Sequence, residues 1–93
     1  MSVGLQEKAM KPKIRISESD AVYAIGIVSQ LLDMPEWTLR ALEKEGLVAP
    51  QRKFKKIRFY SMKDIKRLEY IHYLMDEKGV NISGIKVILE MEE

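Results

Sequence analysis

The chain has 93 residues, no cysteine, 46% hydrophobic and 32% charged residues, and a formal net charge of +2. That length holds one small domain with a core stable by a modest margin, and the composition is that of a folded chain rather than a disordered one. Disulfides, thiolate metal sites and redox sensing are excluded. No apolar run reaches the ~18 residues of a membrane span, and no apolar export signal is visible, so the expected compartment is the cytoplasm.

Met1 to about Asp20 is polar, with scattered lysines and no helical stripe, and reads as a flexible N-terminal arm. Its one alternating piece, KIRIS (Lys13 to Ser17), could add a short strand. The domain proper is expected over residues 21–93. Tyr23 to Leu32 carries Ile25, Val28, Leu31 and Leu32 at helical spacing, with Gly26 as the N-cap. Asp33 and Met34 break that pattern.

Pro35 then suits the first position of a second helix, since it needs no backbone donor there. This helix, PEWTLRALEKEG, buries Leu39 and Leu42. It turns Trp37, Arg40, Ala41 and Lys44 outward, and it stops at Gly46, where a left-handed residue is usual. Helix, short turn and helix make a helix-turn-helix.

LVAP (Leu47 to Pro50) reads as a strand ended by Pro50, and IRFY (Ile57 to Tyr60) as its partner. The loop between them, Gln51 to Lys56, has no Gly, Asn or Asp and signals no tight two-residue turn. The result is a hairpin with a basic tip. Ser61 caps a long helix, with Asp64 as a capping-box partner and Ile65, Leu68, Ile71, Leu74 and Met75 as its buried stripe. Lys63, Lys66 and Arg67 lie near its start, where positive charge opposes the helix dipole. Local stability does not favour that placement, whereas an external anion would. Lys78-Gly79 ends this helix. Asn81 caps a last one that turns Ile85, Ile88 and Leu89 inward, and Gly84 weakens it slightly.

Charge is unevenly spread. Between Gln51 and Arg67 the cations are Arg52, Lys53, Lys55, Lys56, Arg58, Lys63, Lys66 and Arg67, against the single anion Asp64. From Leu68 onward six acids face only Lys78 and Lys86. A basic stretch beside a helix-turn-helix fits the release of counterions from a nucleic acid backbone. Arg40, central on the outer helix face, suits guanine or phosphate. The helix itself is slightly acidic, so affinity is expected mainly from the wing and from Ser61 to Arg67.

Taken together, Ile25-Gly26, Thr38-Leu39-Arg40, Glu43, Glu45-Gly46-Leu47-Val48, Arg58, Tyr60-Ser61, Asp64-Ile65 and Asn81-Ile82 resemble the DNA-binding domain of the MerR family of bacterial transcription regulators. The last helix is most similar to the heat-shock repressor branch. The resemblance implies a mainly α, winged helix-turn-helix fold of about four helices with a small β-hairpin wing. It implies sequence-specific binding of double-stranded DNA, repressor slightly favoured, with RNA polymerase or a chaperone co-regulator as further partners and with no cofactor. The residues expected at DNA are Trp37, Thr38, Arg40, Lys44, Arg52, Lys53, Lys55, Lys56, Arg58, Tyr60, Lys63 and Arg67.

Four positions depart from the family pattern. The tyrosines that usually follow TLR and contact phosphates are Ala41 and Leu42, the usual glycine of the turn is Asp33, and the usual serine cap is Pro35. Members normally continue into a long dimerising helix, so this chain is expected to be a monomer or weak dimer. No nucleophile, metal-ligand or phosphate-loop pattern points to an enzyme; His72 stands alone. The alternatives are a protein-interaction module, or a small architectural or excision factor, on the same scaffold.

Overall fold

In the computed structural model the described residues are 15–92. Their elements are β1 (Tyr23–Ala24), α1 (Ile25–Leu32), α2 (Glu36–Lys44), β2 (Gln51–Lys53), β3 (Ile57–Tyr60), α3 (Met62–Asp76) and α4 (Ile82–Glu92). The strands form one antiparallel sheet in the order β1-β3-β2. The fold is the expected winged helix-turn-helix, with a third strand that the sequence pattern did not signal.

β1 explains why Gly26 is not a cap. Tyr23 and Ala24 pair with Tyr60 and Phe59 of β3, so the chain is still extended at Ala24 and the helix starts at Ile25. Gly26 lies inside the first turn. In α1, Val28 and Leu32 face the core, while Leu31, expected on the inner stripe, is exposed with Ile27 on the flank.

Asp33 closes α1 in the left-handed region, φ 52°. Asp tolerates that conformation better than most residues, which lets it stand where a glycine is usual. Ser29 clamps the turn that follows. Its carbonyl accepts from the Met34 amide at 3.1 Å, and its hydroxyl donates to the Met34 carbonyl at 2.7 Å. Met34 is thereby driven into the core.

Pro35 is the capping residue of α2 rather than its first helical one, with ψ 148° still extended. Its carbonyl accepts from the Thr38 and Leu39 amides. The other end is a Schellman motif: Gly46 at φ 77°, its amide on the Glu43 carbonyl at 2.9 Å, and the Leu47 amide on the Leu42 carbonyl at 3.0 Å.

The LVAP segment forms no strand. Leu47 and Val48 are buried, and the Leu47 carbonyl is taken by the Arg67 guanidinium at 2.8 Å, outside any ladder. β2 begins just after Pro50 instead, inside the stretch read as loop. Arg52 pairs opposite Arg58, and Lys53 opposite Ile57. The reversal is Phe54-Lys55-Lys56, all with positive φ (46°, 64° and 76°). Three consecutive left-handed residues without glycine leave no sequence signature of a tight turn.

The capping box of α3 is complete. The Ser61 amide donates to Asp64 Oδ2 at 2.9 Å, and the Asp64 amide donates to Ser61 Oγ at 3.0 Å. Ile65, Leu68, Ile71 and Leu74 form its buried stripe. Asn81 Oδ1 caps α4 through the Gly84 amide at 2.8 Å. A Cβ on Gly84 would lie 2.8 Å from Val80 Cγ1, so a close approach requires the glycine. α4 lays Ile85 and Leu89 on α3, closing a core that also holds Val28, Met34, Leu39, Leu42, Leu68 and Ile71.

Most of the expected arm, including Lys13 and Ile14 of the candidate strand, lies outside the described residues. Arg15 to Ser17 form no strand. Residues 17–20 make a turn closed by Asp20, whose amide donates to the Ser17 carbonyl at 3.1 Å. The Glu18 carbonyl then accepts from the Lys63 amide at 2.9 Å, in the first turn of α3.

Candidate nucleic-acid interface

Three elements bring the candidate residues together: the outer face of α2, the β2–β3 wing and the start of α3. Arg40, Glu43 and Lys44 of α2 line one open cleft with Arg52 and Arg58 of the wing. Lys63 and Arg67 line a second with Gly46 to Ala49.

Within this surface most cations already have an internal acceptor. Glu43 takes two: Arg58 Nε donates to Oε1 at 2.6 Å and Arg52 Nη2 donates to Oε2 at 2.7 Å. Arg40 pairs with Glu36 at 3.1 Å, one helical turn back. Lys53 donates to the Ala21 carbonyl and lies over the Phe59 ring. Lys66 pairs with Glu18, and Arg67 holds Leu47. Among the described residues, Lys44, Lys55, Lys56 and Lys63 are exposed with no such partner.

This explains how the two carboxylates of α2 stand in a surface suited to an anion. Glu36 and Glu43 are spent on Arg40, Arg52 and Arg58. Burial pushes the Glu43 carboxyl up, but hydrogen bonds from Arg58 and Arg52 outweigh it and hold the carboxyl below its ordinary 4.5. Glu43 stays ionised and the wing stays docked on α2.

Two expected residues are misplaced for contact. Thr38 is buried, because α2 turns it inward beside Leu39 and Leu42. Tyr60 is fully buried at the end of β3, with its hydroxyl unpaired and burial pushing its pKa up to about 12. Tyr60 belongs to the core, while Thr38 keeps only 6% exposure, at the floor of the groove beside Trp37. Leu42 is buried too, while Ala41 is half-buried, so neither takes the place of a phosphate-binding tyrosine.

Trp37 is 71% exposed on α2. It lines a groove with Asp33, Met34, His72 and Asp76, on the side of α2 that faces α3. Phe54, at the wing tip, is as exposed as Trp37 and packs edge-on against Phe59, ring centroids 5.7 Å apart. Periodicity did not single it out, since it stands in a loop. Nor did it give Glu43 its role: that depends on a strand register which places Arg52 and Arg58 opposite each other.

The profile of the MerR HTH family regulatory proteins matches residues 23–92, from β1 to the end of α4. The chain belongs to the MerR helix-turn-helix family. Over 77 residues it is 38% identical to HspR of Streptomyces coelicolor, described as a heat shock protein, covering 83% of this chain and 51% of that one. Over 75 residues it is 36% identical to the HTH-type transcriptional regulator GlnR of Bacillus anthracis and of Bacillus cereus, covering 81% of this chain and 57% of those. The chain thus spans about half the length of the curated relatives it matches. In this MerR domain, no helix among the described residues is long and apolar enough to cross a membrane, and no cluster of metal-ligating side chains occurs among them.

Proposed function

We propose that this MerR-family regulator binds duplex DNA with the outer face of α2 in the major groove, and with the wing and the start of α3 on the flanking backbone. The observation that supports this reading is the shared cleft of Arg40, Lys44, Arg52 and Arg58, which joins the helix to the wing in one cationic surface. Arg40 is the base-reading or groove-anchoring residue, because it is central on α2 and its partner among the described residues is an exposed carboxylate that DNA can displace. Lys55, Lys56 and Lys63 are the phosphate contacts, because among the described residues no side-chain hydrogen bond or ion pair holds their ammonium groups.

The protein works in the cytoplasm as a repressor of the heat-shock type, with RNA polymerase or a chaperone co-regulator as a further partner. The likeness to HspR, described as a heat shock protein, supports the heat-shock part of this reading. The N-terminal residues up to about Asp20 act as an arm joined to the domain through Glu18. By itself this chain is a monomer or weak dimer, since Ile85 and Leu89 of α4 are used in its own core. The remaining apolar surface of that helix is short of the roughly 1,200 Å² of a stable interface.

Selection of bound duplexes from a random pool, followed by titration of the selected duplex, tests the reading. A consensus with conserved guanines supports it. No enrichment over the starting pool overturns it and favours a protein-interaction module.

A further inference from the structure

Arg52 and Arg58 stand directly opposite each other across the β2–β3 ladder. Like charges in that position repel. One carboxylate, on neither strand, resolves the conflict. Glu43 of α2 accepts Arg58 through one oxygen at 2.6 Å and Arg52 through the other at 2.7 Å. The two guanidinium groups are not equivalent. Arg52 is 46% exposed and keeps donors for an outside phosphate, while Arg58 is 23% exposed and faces the carboxylate.

We propose that Glu43 is a specificity-determining positioning residue: an internal anion that docks the wing on α2 and withholds Arg58 from DNA. The inference rests on the proposed DNA-binding reading. Charge on a flexible side chain follows any phosphate and adds affinity for every sequence alike. Charge fixed at a set distance from α2 is satisfied only where the duplex presents a phosphate at that distance while α2 meets its bases. Glu43 therefore gives up non-specific affinity and gains discrimination. It also explains why a carboxylate stands between the two wing arginines.

The test compares wild type with Glu43→Gln, which keeps the shape and removes the charge, on two probes. One is a duplex selected from a random pool by the wild type, and the other is a 30-base-pair duplex of random sequence. The expected result is tighter binding of Glu43→Gln to the random duplex. Its log-log salt slope there should steepen by about 0.9 for each arginine released to a phosphate. The ratio of selected to random affinity should fall about tenfold. Glu43→Asp, which keeps the charge, should restore part of that ratio. An unchanged ratio and slope, or a parallel loss on both duplexes, overturns the proposal. If Glu43→Gln does not fold, Arg58→Gln reads the same contact: the ratio should fall while the random-duplex slope stays, because Arg58 holds no phosphate of its own, and a shallower slope or an unchanged ratio overturns the proposal. Wild type that binds neither duplex defeats the DNA-binding reading itself, an outcome distinct from binding with an unaltered ratio.

Discussion

The backbone carbonyl of Glu18 accepts the amide of Lys63 at 2.9 Å, and the Glu18 carboxylate pairs with Lys66 one turn further on. The turn at residues 17–20 is thus fixed on the first turn of α3, where cations oppose the helix dipole. The hydrogen bond from Lys66, and its charge, hold the Glu18 carboxyl below its ordinary value. The anion expected at that helix start is therefore supplied in part by the chain itself. If DNA phosphate occupies the same place, Glu18 competes with it. Glu18→Gln should tighten binding to selected and random duplexes by the same factor, read by fluorescence anisotropy at low salt. Equal affinity for both proteins would remove α3's start from the interface.

The wing tip gives a second expectation. Replacing Lys55 and Lys56 by Ala should weaken binding to all sequences alike and reduce the log-log salt slope by about 0.9 for each phosphate no longer neutralised. Lys53→Ala should leave the slope unchanged, since its ammonium is committed to the Ala21 carbonyl. A slope change from Lys53→Ala equal to that of its neighbours would contradict this division.

Arg40→Ala should cost about 1–3 kcal/mol on a selected duplex and less on a random one. The fold should survive, because an exposed i,i+4 ion pair such as Arg40–Glu36 is worth at most about 0.5 kcal/mol. A melting temperature unchanged beside a lost site preference is the expected combination.

Tyr60 separates core from interface. Tyr60→Phe removes a buried hydroxyl that has no partner among the described residues, so stability should hold or rise by up to about 1 kcal/mol, and affinity for DNA should not change. A selective loss of affinity at full stability would return Tyr60 to the interface. Ser61, its neighbour, is the opposite case. Ser61→Ala breaks the capping box and should cost about 1 kcal/mol, a fall of roughly 4–8 °C in melting temperature.

Acid titration reads the Glu43 cluster without DNA. A carboxyl with a depressed folded pKa adds stability that is fully present above its unfolded value and is lost as pH falls through the folded one. Wild type should therefore lose stability as pH drops below 4.5, and Glu43→Gln should lose less over the same window. Parallel curves would mean that the two arginine contacts do not form in solution.

Elements set by local chemistry were legible in the sequence. The Ser61–Asp64 box, Gly46, Asn81 and the stripe from Ile65 to Leu74 all act over one helical turn, and each stands at its expected position. The misplacements are non-local. β1 exists only because Tyr60 and Phe59 offer an edge, and that pairing moves the start of α1 past Tyr23. The wing strand lies at Gln51–Lys53 rather than LVAP because Leu47 and Val48 are needed in the core. At the site, charge was legible and its partners were not. Thr38 and Tyr60 are polar residues whose burial is decided by how α2 and β3 pack, which no local pattern encodes. The five pairings of Arg52, Lys53, Arg58, Lys66 and Arg67 are set by tertiary distance.

The central claim is that α2 and the wing form one duplex-DNA surface. Its most direct test is the salt dependence of binding to a duplex selected from a random pool, followed by anisotropy from low to physiological salt. With Lys55, Lys56 and Lys63 on phosphates, log affinity should fall linearly with log salt at a slope of about −2.7 or steeper per chain. Absence of binding at the lowest salt, or a slope near zero, would contradict the claim.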